Sequence, residues 1–208
     1  MMEKTANNFE AELPSGYVQV YHIDAKSKKT GLVLNLVSLI IMAIVMVIAV
    51  SLLSLRRGSA EKEERSLIIY GVTYVVFLIS MIAYIVLHEL VHGAAYKALT
   101  GGKLTFGMSW SCAFCGVPGI FTYRRTALIA LAAPFTVFSI LLLALTAAVF
   151  FVHPFVYLAS ALLFAIHLGG CSGDLYMMIL LLFKFKDKKL LMKDTGPEQF
   201  LYVPKSEK

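Results

Sequence analysis

The chain has 208 residues, of which 59% are hydrophobic and 15% are charged, with a formal net charge of +6 at pH 7. Soluble globular proteins average roughly 45–50% apolar and about 25% charged residues, so this composition predicts an integral membrane protein. The three cysteines cannot all pair, which argues against a disulfide framework. Because the basic residues flank apolar segments, the positive charge favours contact with anionic lipid headgroups over nucleic acid.

The N-terminal part of the chain combines a polar segment with a first membrane span. Residues 1–30 are polar and mixed in charge, and they predict a cytosolic segment in which Val18 to Ile23 indicate a short strand or an interfacial piece. Nearly every residue of 31–55 is apolar, which is long enough to cross ~30 Å of hydrocarbon. The charged residues 56–65 then predict a solvated connection.

A second span is predicted over residues 66–97, and the glycines at 101 and 102 end it. The sequence then changes in kind, because residues 103–110 alternate polar and apolar side chains with the period of a half-buried strand. A turn at Gly116 to Gly119 and a returning strand at 120–123 complete a predicted β-hairpin over residues 103–123.

Two further spans follow, over residues 126–152 and 154–183. Pro134 predicts a kink in the third span. Residues 184–208 predict a cytosolic basic tail. The chain is therefore expected to be an all-α membrane protein, a four-helix bundle over residues 31–183 with a small hairpin between its second and third spans.

Lysine and arginine indicate the orientation of this bundle. They concentrate before the first span, between the second and third, and after the fourth, whereas none lies between the third and fourth. The four basic residues between the first and second spans are accompanied by three glutamates. The positive-inside rule therefore predicts a multi-pass protein with both termini in the cytosol.

The second span carries the motif His88-Glu89-Leu90-Val91-His92. Positions four apart share one face of a helix, so both imidazoles can bind one metal ion. Glu89 lies beside them, where its carboxylate can reach a water molecule at that ion. Two histidines and a glutamate are costly inside a membrane and usually mark function there. The motif predicts a metal site, and a hydrogen-bonded pair of core histidines is the alternative.

A catalytic zinc site needs a third protein ligand. Asp174 is the predicted ligand, because it is the only carboxylate of the first, third and fourth spans. It precedes Lys184 by about as many residues as His88 precedes Lys97, so both would lie at similar depth. His167, two helical turns before Asp174, is the alternative ligand, or else an outer-shell donor or a residue of the substrate cavity.

These residues carry a resemblance to known families. The His-Glu-x-x-His helix, the proline of the third span and Gly173-Asp174 in the fourth resemble intramembrane zinc metalloproteases of the site-2 protease type. From about Tyr70 to the Lys-Asp-Thr-Gly stretch at 193–196, the chain more closely resembles a bacterial family of small four-span, zincin-type membrane peptidases of unknown function.

The resemblance implies Zn²⁺ bound by His88, His92 and Asp174, with Glu89 as the catalytic acid and base, in a bacterial plasma membrane. The expected function is a membrane-embedded zinc metallopeptidase that hydrolyses membrane or membrane-proximal proteins through a zinc-activated water. The edge of the hairpin could hold an extended substrate, or the hairpin could be a structural plug. The alternative functions are a non-proteolytic metal-binding transporter or sensor and a catalytically silent membrane scaffold. Cys112 and Cys115 are expected to be free thiols.

Overall fold

The computed structural model describes residues 8–56, 67–109, 113–186 and 189–207. Apart from Arg56, the predicted charged connection 56–65 lies outside the described residues. Cys112 and the tip of the predicted hairpin lie outside them as well.

Four long helical segments dominate the described chain. Each is long and apolar enough to cross a membrane, by length and composition: Lys28–Arg56, Leu67–Thr100, Arg124–Val149 and Pro154–Lys184. The first three are the single helices α1, α2 and α3. The fourth is interrupted: α4 is Pro154–Gly170, α5 is Ser172–Ile179, and a π-helical turn over Leu180–Lys184 continues it.

The described residues also form two β-sheets, so the expectation of an all-α fold is wrong. One sheet is antiparallel and has five strands in the order β1-β5-β6-β7-β2. Its strands are Phe9–Glu10 (β1), Tyr17–Asp24 (β2), Phe121–Tyr123 (β5), Leu191–Asp194 (β6) and Glu198–Pro204 (β7). The segments predicted as a cytosolic N-terminal segment and a basic tail therefore supply four of these five strands. They pair because each strand is too short to bury its apolar face alone.

A separate two-stranded sheet joins β3, Thr105–Met108, to β4, Ala113–Gly116. The hairpin expected over 103–123 thus exists in a shorter form, with a different returning strand. The residues expected to return, 120–123, contain β5, which pairs with β1 and β6 of the larger sheet. The turn at 117–120 redirects the chain from one sheet to the other.

The chain divides into two compact units, which we describe separately. The sheet unit comprises Met1–Val33, His88–Pro134 and Gly173–Lys208, and the helical unit comprises Leu34–Leu87 and Phe135–Ser172. The sheet unit has its own apolar core, in which side chains of α3, α5, the π-helical turn, the sheet and the segment between the turn and β6 pack together: Ala127, Leu131, Met177, Leu181, Phe185, Leu190, Met192, Leu201 and Val203.

The helical unit is held by close packing between its helices. Ala49 and Leu53 of α1 form a buried cluster with Tyr157 and Ala161 of α4. The Tyr157 hydroxyl donates a hydrogen bond to the Ala49 carbonyl at 3.2 Å. A methyl group at Gly169 would lie 2.9 Å from the Ser38 carbonyl oxygen, so glycine is required for this approach.

Candidate metal centre

Three side chains of the sheet unit converge on one point. His88 and His92 lie one turn apart on α2, and Asp174 lies in the first turn of α5. One potential ligand atom from each lies within 4.8 Å of the other two. The structure therefore brings together the three residues that sequence reasoning selected as metal ligands.

The distances suit a small tetrahedral ion. The Nε2 atoms of His88 and His92 each lie 3.3 Å from Oδ2 of Asp174. Zinc binds imidazole nitrogen and carboxylate oxygen at about 2.0–2.2 Å, so two ligand atoms at a tetrahedral angle lie about 3.4 Å apart. Two imidazoles and one carboxylate are also the donor set of known catalytic zinc sites. These residues therefore fit zinc in both chemistry and spacing.

The burial of these three side chains also favours a bound cation. His88 and His92 are only 7% and 6% exposed, and the Asp174 side chain is 18% exposed. Withdrawing a carboxylate from water is costly unless a cation or several hydrogen bonds compensate it. A divalent ion between these three groups would supply that compensation.

A main-chain carbonyl fixes the ring of His92. Nδ1 of His92 lies 2.9 Å from the carbonyl oxygen of Ala130 on α3. A carbonyl can only accept, so Nδ1 must carry the proton and donate it. In the neutral ring, the Nε2 lone pair then points at Asp174 and is available to a metal.

Cys115 of strand β4 lies near Glu89, the residue that follows His88 on α2. Burial raises the pKa of the Cys115 thiol to about 12, and the nearby carboxylates of Glu89 and Asp194 contribute to the rise. Cys115 is therefore a protonated, buried thiol at neutral pH, as expected for a free cysteine.

The β3–β4 hairpin packs on the part of α2 that carries His88 and His92. A methyl group added to Gly93, the residue after His92, would lie 2.7 Å from Cζ of Phe106 and 3.1 Å from Cδ1 of Leu104. The absence of a side chain at Gly93 therefore lets β3 approach α2 closely. Gly93 follows Glu89 by four positions, so the hairpin covers the helix face that carries this carboxylate.

His167, the alternative third ligand, belongs to the helical unit and is fully buried. Its Nδ1 lies 3.0 Å from the Tyr84 hydroxyl, and its Nε2 lies 3.0 Å from the Ser139 hydroxyl. The Sγ atom of Cys171 lies 3.6 Å from the same Nδ1. Both ring nitrogens thus have hydrogen-bond partners within this unit, which accounts for a buried histidine without a metal.

Sequence reasoning missed a second buried carboxylate, Asp194, at the end of β6. It is 2% exposed, and it accepts hydrogen bonds from the Tyr96 hydroxyl at 2.7 Å and from the Gly196 N–H at 2.9 Å. Burial raises its pKa to about 6, although both hydrogen bonds and the charge of His92 favour the carboxylate. Tyr96 follows His92 by one turn, so Asp194 holds the end of α2 against the sheet. Its only signal in the sequence was the resemblance at 193–196.

Comparison with known proteins adds one finding. Residues 81–189 match the model of a family described as "Putative zincin peptidase". This segment covers about half of the chain and contains His88, Glu89, His92 and Asp174. No curated protein and no solved structure matches the chain.

Proposed function

Because this chain belongs to the "Putative zincin peptidase" family, we propose that it is a membrane-embedded zinc metallopeptidase of the site-2 protease type. Its substrates are membrane or membrane-proximal proteins. The observation that carries this proposal is the convergence of His88, His92 and Asp174, within 4.8 Å of one another, beside Glu89. A metal site for transport or sensing has no need for a carboxylate directly after its first histidine.

In this proposal the chain's own residues have distinct roles. His88, His92 and Asp174 would hold zinc, which when bound would polarise the scissile carbonyl and acidify a water molecule. Glu89 takes a proton from that water as the water attacks the carbonyl carbon. As the C–N bond breaks, Glu89 delivers the proton to the leaving nitrogen. The Ala130 carbonyl keeps the His92 ring in the tautomer and orientation that metal binding needs.

The proposed reaction occurs beneath a membrane surface. The four apolar helices support membrane insertion, and lysines or arginines lie at one end of each of them within the sheet unit. His88 precedes Lys97 by nine residues and Asp174 precedes Lys184 by ten. At ~1.5 Å per residue, both ligands lie roughly 14 Å below the basic ends of their helices. By the positive-inside rule this is the cytosolic side, where both termini lie.

The β3–β4 hairpin is the proposed substrate-binding element. A peptide bond must leave a helical conformation before it can be hydrolysed, and an edge strand can hold such a segment by backbone hydrogen bonds. Strand β3 is largely exposed, and Phe106 of this strand packs beside Gly93 of α2. An extended substrate paired with β3 would therefore run close to the helix face that carries Glu89.

Metal content tests the proposal. We would purify the full chain in detergent under metal-replete conditions and measure zinc per chain by mass spectrometry. About one zinc per chain is expected in the wild type and in His167→Ala, whereas Asp174→Ala should lose it. His22→Ala, at an exposed histidine of β2, is the matched control and should keep it. A wild type without zinc would overturn the proposal.

Activity is tested with the protein in liposomes, using a reporter with a fluorophore and a quencher flanking an apolar segment of about 20 residues. Glu89→Gln should retain zinc but lose roughly 10²–10⁴-fold in cleavage rate, because the general base is gone. Equal cleavage by wild type and Glu89→Gln would exclude the assigned role.

A further inference from the structure

Pro134 lies inside α3, four residues after Ala130. In a regular α-helix the carbonyl of Ala130 would accept a hydrogen bond from the N–H of residue 134. Proline has no N–H, and its ring also displaces the carbonyl four residues earlier. Pro134 therefore removes the helical donor of one particular carbonyl, that of Ala130.

That same carbonyl accepts the hydrogen bond from Nδ1 of His92, at 2.9 Å. Ala130 is fully buried and Pro134 is buried, so water does not compete for this oxygen. The imidazole of His92 thus takes the place of the missing backbone donor. The hydrogen bond gives a partner to both the Ala130 carbonyl and the Nδ1–H of His92. Each of these groups would be costly if it were buried without a partner.

We propose that Pro134 is a positioning residue of the metal centre. By leaving the Ala130 carbonyl without its helical donor, it supplies the acceptor that holds Nδ1 of His92, so that Nε2 faces Asp174. The inference rests on the proposed function, since it assumes that His92 binds zinc. In this role Pro134 does more than bend α3. It also links α3 to the metal centre, although α3 supplies no ligand.

The surroundings of Ala130 support this role. Tyr96 of α2, Val117 and Ala130 pack together as a buried cluster. Tyr96 is held in turn by its hydrogen bond to Asp194, and the carbonyl of Asp194 accepts from the N–H of Val117 at 2.9 Å. The backbone at Ala130 therefore packs against residues that are themselves held in place by hydrogen bonds.

The test replaces Pro134 with Ala and with Val, both of which restore an N–H. Val also fills more of the volume of the proline ring. Zinc affinity is measured on the purified full chain in detergent by competition with a chromophoric chelator, and the Tm is measured separately with excess chelator. Pro154→Ala, at the first turn of α4, is the matched control because it removes a proline outside the metal centre.

We expect both substitutions at 134 to weaken zinc binding by about 10-fold or more, the usual effect of losing a partner behind a metal ligand. The Tm of the chelated protein should stay equal or rise, because the helical hydrogen bond gained and the helix-breaking residue lost offset the cost of leaving the buried Nδ1–H of His92 without its acceptor. A proline of purely structural value would not lower metal affinity while leaving the metal-free protein equally stable. Pro154→Ala should leave zinc affinity unchanged.

Zinc dissociation constants within twofold of the wild type for both variants would overturn the inference while leaving the proposed function intact. Weaker binding accompanied by a lower Tm in chelator would also overturn it, since it would indicate general loss of structure. A wild type that binds no zinc would instead overturn the proposed function, and this inference with it.

Discussion

The buried carboxylate of Asp194 gives the protein a specific dependence of stability on pH. Burial raises the pKa of Asp194 from an ordinary 3.8 to about 6. The folded protein therefore holds this proton more tightly than the unfolded chain does. The resulting stabilisation is complete below about pH 4 and is lost as the pH rises through about 6.

The substitution Asp194→Asn removes this dependence. An asparagine oxygen can still accept from the Gly196 N–H, and its amide can donate to the Tyr96 hydroxyl. The pKa difference corresponds to roughly 3 kcal/mol. Relative to the wild type, the variant should therefore gain about 3 kcal/mol in free energy of unfolding between pH 4 and pH 7. For a chain of this size the gain is roughly 6–12 °C in Tm.

The assay is thermal unfolding in detergent, followed by far-UV circular dichroism from pH 4 to 7.5. Excess chelator is present so that the local charge does not change with metal occupancy. Contributions from titrating groups that do not interact with Asp194 are common to both proteins and cancel in the difference. Glu12→Gln, at an exposed position, is the control, and its Tm should vary with pH as that of the wild type does. The same change of Tm with pH in the wild type and in Asp194→Asn would refute the raised pKa of Asp194.

Two further predictions concern packing and metal binding. Gly116→Ala would place Cβ 2.3 Å from the nitrogen of Gly196 and 2.6 Å from the carbonyl carbon of Thr195, both of them backbone atoms. We therefore expect the free energy of unfolding to fall by about 3 kcal/mol, measured as a lower Tm. An unchanged Tm would contradict this contact. Zinc at 100 times its Kd should raise the free energy of unfolding of the wild type by about 2.7 kcal/mol. The same addition should leave His88→Ala unaffected, and an equal rise in both would place the ion elsewhere.

The helices could be predicted from the sequence because each apolar segment is continuous and long. The sheet could not, because its strands have two to eight residues and come from three distant parts of the chain. The periodic signal was present in β7, where Leu201 and Val203 are buried and the residues between and beside them are half-buried. Lysines and breakers around it favoured the interpretation as a polar tail. A strand of two residues such as Phe9–Glu10 has no pattern of its own.

The convergence of His88, His92 and Asp174 was predictable to the extent that side chains determine it. The spacing of His88 and His92 predicts a shared face, and the cost of a carboxylate in a membrane span singles out Asp174. The carbonyl of Ala130 has no signature in the sequence, since every residue has one. Position 134, whose N–H would be the helical donor to this carbonyl, is a proline without an N–H, so the sequence did contain the information, although Pro134 predicted only a kink.

The order of these residues along the chain has a consequence for biosynthesis. His92 and Asp174 are 82 residues apart, and β2 pairs with β7 near the other end of the described chain. At ~5–20 residues per second, the ribosome adds the aspartate on the order of 4–16 s after the histidine. Throughout that interval the nascent protein lacks one ligand and the neighbour of its second strand. Under the proposed function, the three-ligand centre therefore cannot form during synthesis until Asp174 has been added to the chain and has reached the two histidines.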